Sequence, residues 1–125
     1  MNKKRPVNLD LRTIKQPLPA VTSILHRVSG LALFFGSIFM MYALSLSLES
    51  QEGFDAAAEL LTDSFLAKLI AWGLLSALFY HFFAGIKHLV MDAGYCEEIE
   101  SGKAAAKVTL ALSAVAILLA GVWVW

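Results

Sequence analysis

His81 lies inside the run Phe79-Tyr80-His81-Phe82-Phe83-Ala84-Gly85-Ile86-Lys87-His88, among side chains greasy enough to sit in lipid. An ionisable group in hydrocarbon is costly without a partner, so an imidazole there points to ligand or proton chemistry. His88 follows seven residues later, two helical turns on. The two rings therefore share a helix face and differ in depth by about 10 Å. Gly85 stands at i+4 from His81, and Ala77 and Gly73 continue the ladder of small residues backwards, which leaves a shallow groove beside the ring. A second polar group, Ser23, His26, Arg27, Ser29 and Gly30, is compact in sequence. Ser23 with Arg27 and His26 with Gly30 are i,i+4 pairs, so they make one patch on a helix.

An isolated intramembrane histidine has three uses: ligating haem iron, hydrogen-bonding a neighbouring helix, or relaying protons. Haem with two axial histidines needs both at one depth, and no second histidine of this chain matches the depth of His81. Its opposite ligand then has to come from another polypeptide. The haem carboxylates would point to the shallower level of His26, Arg27 and His88, where charge-assisted hydrogen bonds can hold them. The plainer accounts stay open. Arg27, His26 and Lys87 read equally as anchors whose charged tips reach the water boundary, and Ser23 as a helix-start hydroxyl. Phe79, Tyr80, Phe82 and Phe83 read as packing.

These residues need helices in a membrane to position them. The chain has 125 residues, 58% hydrophobic and 16% charged, with ten basic and ten acidic side chains; an average soluble domain has about 25% charged residues. The deficit is concentrated in three charge-free runs, residues 28–48, 69–86 and 108–125, each near the ~18–20 residues that span a bilayer. No run alternates with the period of two that a membrane barrel needs. The expected fold is all-α and integral to the membrane: one domain, 1–125, with a cytoplasmic segment over 1–22 and helices near 23–48, 66–90 and 106–125. Pro17 and Pro19 set the start of the first helix. Residues 49–65 suggest a short helix at the interface, and residues 91–107 read as a solvated loop. From Val108 to Trp125 the third helix has no ionisable group, and Ala116, Ala120 and Gly121 allow a close neighbour. Lys3, Lys4, Arg5, Arg12, Lys15 and Arg27 precede or open the first helix, and Lys87, Lys103 and Lys107 flank the second connection. Acids dominate the first connection, so the positive-inside rule puts the N-terminus in the cytoplasm. Trp72, Trp123 and Trp125 read as interfacial anchors on the outer side. The first apolar run is too long and starts too late for a secretory signal. Cys96 is the only cysteine, which excludes an internal disulfide or a thiolate metal cluster. No phosphate-binding loop or internal repeat occurs, and no nucleic acid is expected as a partner.

Four segments together carry a resemblance: Arg5-Pro-Val-Asn-Leu-Asp-Leu11, Ser23-Ile-Leu-His-Arg-Val-Ser-Gly30, His81-x-x-x-Gly85-x-Lys-His88 and Asp92-Ala-Gly-Tyr95. Over nearly its whole length the chain resembles the cytochrome b membrane-anchor (C) subunits of succinate dehydrogenase, complex II. Lys87 stands where many members have arginine. The resemblance implies a helical bundle formed with a second anchor subunit, holding an iron–sulfur subunit and a flavoprotein subunit to the bacterial inner membrane. It implies haem b, with His81 as one axial ligand and the second anchor giving the other, and with His26, Arg27 and His88 near the haem carboxylates. It implies a ubiquinone site to which Ser23 and Arg27 contribute. Electrons from succinate would reach ubiquinone there, and the chain would catalyse nothing alone. Two alternatives remain: a haem-free structural anchor of a fumarate reductase-like complex, and a small proton-conducting subunit.

Overall fold

A chain that is apolar in long runs and punctuated by prolines and serines folds as helices whose ends fall at those punctuation marks. The computed structural model describes residue 7 and residues 9–125. Arg5, Pro6 and Asn8 of the N-terminal motif, and Lys3 and Lys4 of the charge argument, lie outside the described residues. Four helices follow in order: α1 (Leu18–Glu49), α2 (Gln51–Asp63), α3 (Phe65–Asp92) and α4 (Ile99–Val124). Among the described residues there is no strand.

Pro17, extended at φ −66° and ψ 153°, precedes α1, and Pro19 sits in its first turn, where its missing N–H leaves no helical bond unmade. Ser50 closes α1 and opens α2, its hydroxyl accepting the Gly53 N–H at 3.0 Å. Ser64 caps α3 in the same way from Ala67 N–H at 3.2 Å. The turn after α3 uses left-handed backbone at Gly94 (φ 87°) and at Cys96 (φ 57°). A glycine reaches that region freely, and a non-glycine does so only where its surroundings hold it.

α1, α3 and α4 are each long and apolar enough to cross a membrane. α3 is the middle helix, packed along α4 on one side and α1 on the other. The contact surfaces are small-residue surfaces. The buried hydrophobic side chains are Ala84, Ala106 and Ala120, whereas Phe34, Phe35, Ile38, Phe39 and Met41 on α1 stay largely exposed. Water would have driven those large side chains inward; lipid does not, and helices in lipid instead approach through small residues.

The short helix expected within 49–65 is α2, of 13 residues. Two boundaries differ from the sequence reading. α1 starts at Leu18, inside the segment expected over 1–22, because its first turn tolerates Pro19. α4 starts at Ile99, about two turns before the expected residue 106. The segment 91–107 looks solvated because it holds six charged side chains; two of them, Glu100 and Lys103, pair at 3.2 Å on the outside of the helix. Its other face is small and buried, with Gly102 and Ala106 against the bundle.

Candidate functional site

The first turns of α1 cross the last turns of α3, and the polar groups of both helices meet there. His81 Nδ1 lies 3.1 Å from the His26 carbonyl oxygen and 3.1 Å from Ser29 Oγ. A carbonyl only accepts, so Nδ1 carries the proton and Nε2 keeps its lone pair. Ser29 donates its own hydroxyl hydrogen to the same His26 carbonyl at 2.7 Å, which leaves its oxygen free to accept from His81. The tautomer is therefore fixed by two bonds from α1. This is the arrangement by which a histidine ligand is oriented.

The ring is fixed sterically as well. A Cβ placed on Gly30 would stand 2.9 Å from His81 Cε1, so any larger residue there would have to displace the ring. His26 stacks on the His81 ring, centroids 4.1 Å apart and planes 17° apart. The His26 ring also meets His88 at 5.0 Å with a 53° tilt. The three histidines thus form one ladder, with His26 between the deeper His81 and the shallower His88. The groove expected from small residues is only partly open: His26 Nε2 faces Gly85 closely, while Gly73 has open space.

Ser23 and Arg27 occupy the neighbouring face of α1, Ser23 half-buried and Arg27 exposed. Neither hydrogen-bonds to the histidines among the described residues. Every other helical serine and threonine described returns its hydroxyl to a carbonyl of its own helix, as Ser37 does to Phe34 at 2.7 Å. Ser23 does not, and its hydroxyl is left to bond something else. The only ion pair between described residues is Lys103–Glu100, and Arg27 makes none with them.

Lys87 departs from its reading as a water-reaching anchor. It is 6% exposed, and its Nζ donates to Thr22 Oγ1 at 2.8 Å. Thr22 is fully buried, and its carbonyl accepts the Tyr80 hydroxyl at 2.7 Å. Lys87 is drawn inward because α1 offers it an acceptor within reach, and its apolar stem packs better against α1 than in water.

The transmembrane-subunit family of succinate dehydrogenase and fumarate reductase matches residues 1–120. The chain is 45% identical to the succinate dehydrogenase cytochrome b556 subunit of Coxiella burnetii over all 125 residues of both proteins. It is 36% identical to the corresponding subunit of Paracoccus denitrificans, over 92% of this chain and 88% of that one. The cytochrome b560 subunit of Reclinomonas americana is 41% identical over 81% of this chain and 73% of its own. The chain belongs to the succinate dehydrogenase/fumarate reductase transmembrane subunit family.

Membership makes the chain a membrane subunit of an oxidoreductase complex. Within this family member, sequence reasoning missed the roles of Thr22, Tyr80 and Lys87 and the contact of Ser29 with His81. A signal was present. Tyr80, Ala84 and Lys87 repeat the spacing of His81, Gly85 and His88 shifted by one residue, so they line the adjacent strip of α3. That strip also faces α1.

Proposed function

We propose that this chain is the haem b- and quinone-binding membrane anchor of a bacterial succinate:ubiquinone oxidoreductase. The observation that carries the reading is the His81 ring: held at Nδ1 by the His26 carbonyl and Ser29, it has its Nε2 lone pair available within an apolar helix. That donor set fits one axial position of a haem. His81 would be one protein ligand of its iron, with the other from a second anchor subunit. Haem b held there would supply a one-electron carrier. His26, His88 and Arg27 would hold its carboxylates. The names of the similar proteins, cytochromes b556 and b560, support the same group.

Ser23 and Arg27 would form this chain's part of the quinone pocket, completed by the iron–sulfur subunit and the second anchor. Quinone carbonyl oxygens gain negative charge as electrons arrive. A hydroxyl donor and a fixed cation aimed at that charge stabilise it strongly where water is excluded. Ser23 is suited to this because its hydroxyl serves no helix carbonyl. The flavoprotein subunit would oxidise succinate on the cytoplasmic side. Arg12, Lys15, Arg27, Lys87, Lys103 and Lys107 gather at the end where α1 starts and α3 finishes, which supports an N-terminus in the cytoplasm of a bacterial inner membrane.

In membranes holding the intact complex, succinate should reduce a b-type haem. Ser23→Ala should slow ubiquinone reduction by about 100-fold, with succinate-driven reduction of a soluble dye unchanged. A correctly assembled complex without haem would identify a haem-free anchor. Succinate-independent proton flux abolished by substituting His81 would identify a proton-conducting subunit.

A further inference from the structure

Thr22 is contacted at both of its polar ends from α3. Lys87 Nζ donates to its hydroxyl at 2.8 Å, and the Tyr80 hydroxyl donates to its carbonyl at 2.7 Å. Its own hydroxyl hydrogen goes to the Pro19 carbonyl at 3.0 Å. In an α-helix the Pro19 carbonyl also receives the Ser23 N–H, and the Thr22 carbonyl receives the His26 N–H, by the i→i−4 rule. The clasp therefore bears on the two carbonyls that define the turn carrying Ser23 and His26.

The Ser23 hydroxyl stays uncommitted, whereas Ser29, Ser37, Ser45 and Ser47 on the same helix each bond back to the carbonyl three residues earlier. A rotation of this turn would move that free hydroxyl and the Arg27 side chain together. The burial of Lys87 supports a specific purpose. At the last turns of a spanning helix a lysine tip can extend to water at little cost, yet this one is turned inward onto Thr22, with Ala84 fully buried on the same strip of α3.

We propose that Thr22, clasped by Lys87 and Tyr80, is a positioning residue for the quinone site, which fixes the rotation of the turn bearing Ser23 and Arg27. This rests on the reading of Ser23 and Arg27 as quinone contacts.

The test uses the intact complex in detergent, a short-chain ubiquinone as probe, and activity expressed per flavin. Thr22→Val removes the hydroxyl at nearly constant shape. It should raise the quinone KM and lower kcat/KM by about tenfold, the scale of a small misplacement near a reacting group, with dye reduction unchanged. Thr22→Ser, which keeps the oxygen, should restore the KM. Loss of intact complex alone would lower the apparent kcat and leave KM where it was.

Thr22→Val also strands the Lys87 ammonium, and an unpaired buried charge is strongly destabilising. The double variant Thr22→Val with Lys87→Met removes that charge. It should assemble normally and still show the raised KM. An unchanged KM in the double variant, alongside a Ser23→Ala variant that is impaired, would overturn the clasp and leave the quinone site standing. A Ser23→Ala enzyme indistinguishable from wild type would remove the quinone reading of Ser23, and the clasp with it.

Discussion

α3 has two polar seams, one against α1 and one against α4, and they are built by opposite rules. Against α1, side chains reach across: His81 to the His26 carbonyl and Ser29, Lys87 and Tyr80 to Thr22. Against α4, the buried hydroxyls turn back on their own helix, Thr109 to Ala105 at 2.9 Å and Ser113 to Thr109 at 2.7 Å. The one bond across that seam is the Trp72 indole N–H to the Ile117 carbonyl at 2.9 Å. Helix association in lipid needs only small residues and an occasional bond, which describes the α3–α4 seam. The α1–α3 seam holds more ionisable groups than packing requires. Polarity that crosses between helices marks the site here, and polarity that folds back marks structure.

Substitutions at the two seams should therefore differ in kind as well as in size. Gly30→Ala puts a methyl against His81 and forces the ring off its place. Haem affinity should fall by about 10- to 100-fold, as for loss of a partner that orients a metal ligand, read as haem per flavin in the purified complex. Ser29→Ala removes one of two acceptors at Nδ1 and should cost nearer tenfold by the same measure. Across the other seam, a Cβ on Gly121 would come within 3.2 Å of Trp72 Nε1. Gly121→Ala should destabilise the bundle by about 1–2 kcal/mol, seen as earlier loss of helical signal on heating in detergent, with the haem bands unmoved. Trp72→Phe should cost about 0.6 kcal/mol, typical of one interhelical hydrogen bond in a membrane. Ser113→Ala should change stability by less than about 0.5 kcal/mol, because its hydroxyl serves only its own helix. A shifted haem spectrum from Gly121→Ala or Ser113→Ala would break the distinction between the seams.

Much of this was readable from residue order. Charge-free runs give the three spanning helices because bilayer thickness fixes their length, and the position of His81 within one run marks it as costly unless it is used. Antiparallel helices that share one membrane boundary bring His26 near His88, but the stacking of His26 on His81, expected two turns deeper, was not legible. Other features were hidden for physical reasons. The start of α4 was masked by Glu100 and Lys103, which advertise solvent from one face while Gly102 and Ala106 bury the other. Lys87 has the composition of a surface anchor, and only the crossing of α1 with α3 reveals that an acceptor lies within its reach. Trp72 matched an interfacial indole by position, but its N–H is spent on α4. In each case the sequence specifies the helix, and what a side chain does depends on which neighbour arrives at its level.

The most direct test of the account is the haem content of the intact complex carrying His81→Leu, set beside His88→Leu. The account predicts that His81→Leu loses nearly all haem, while His88→Leu keeps most of it with a modestly altered spectrum. Full haem with unshifted bands in His81→Leu, together with loss in His88→Leu, would show that iron is held by a different side chain.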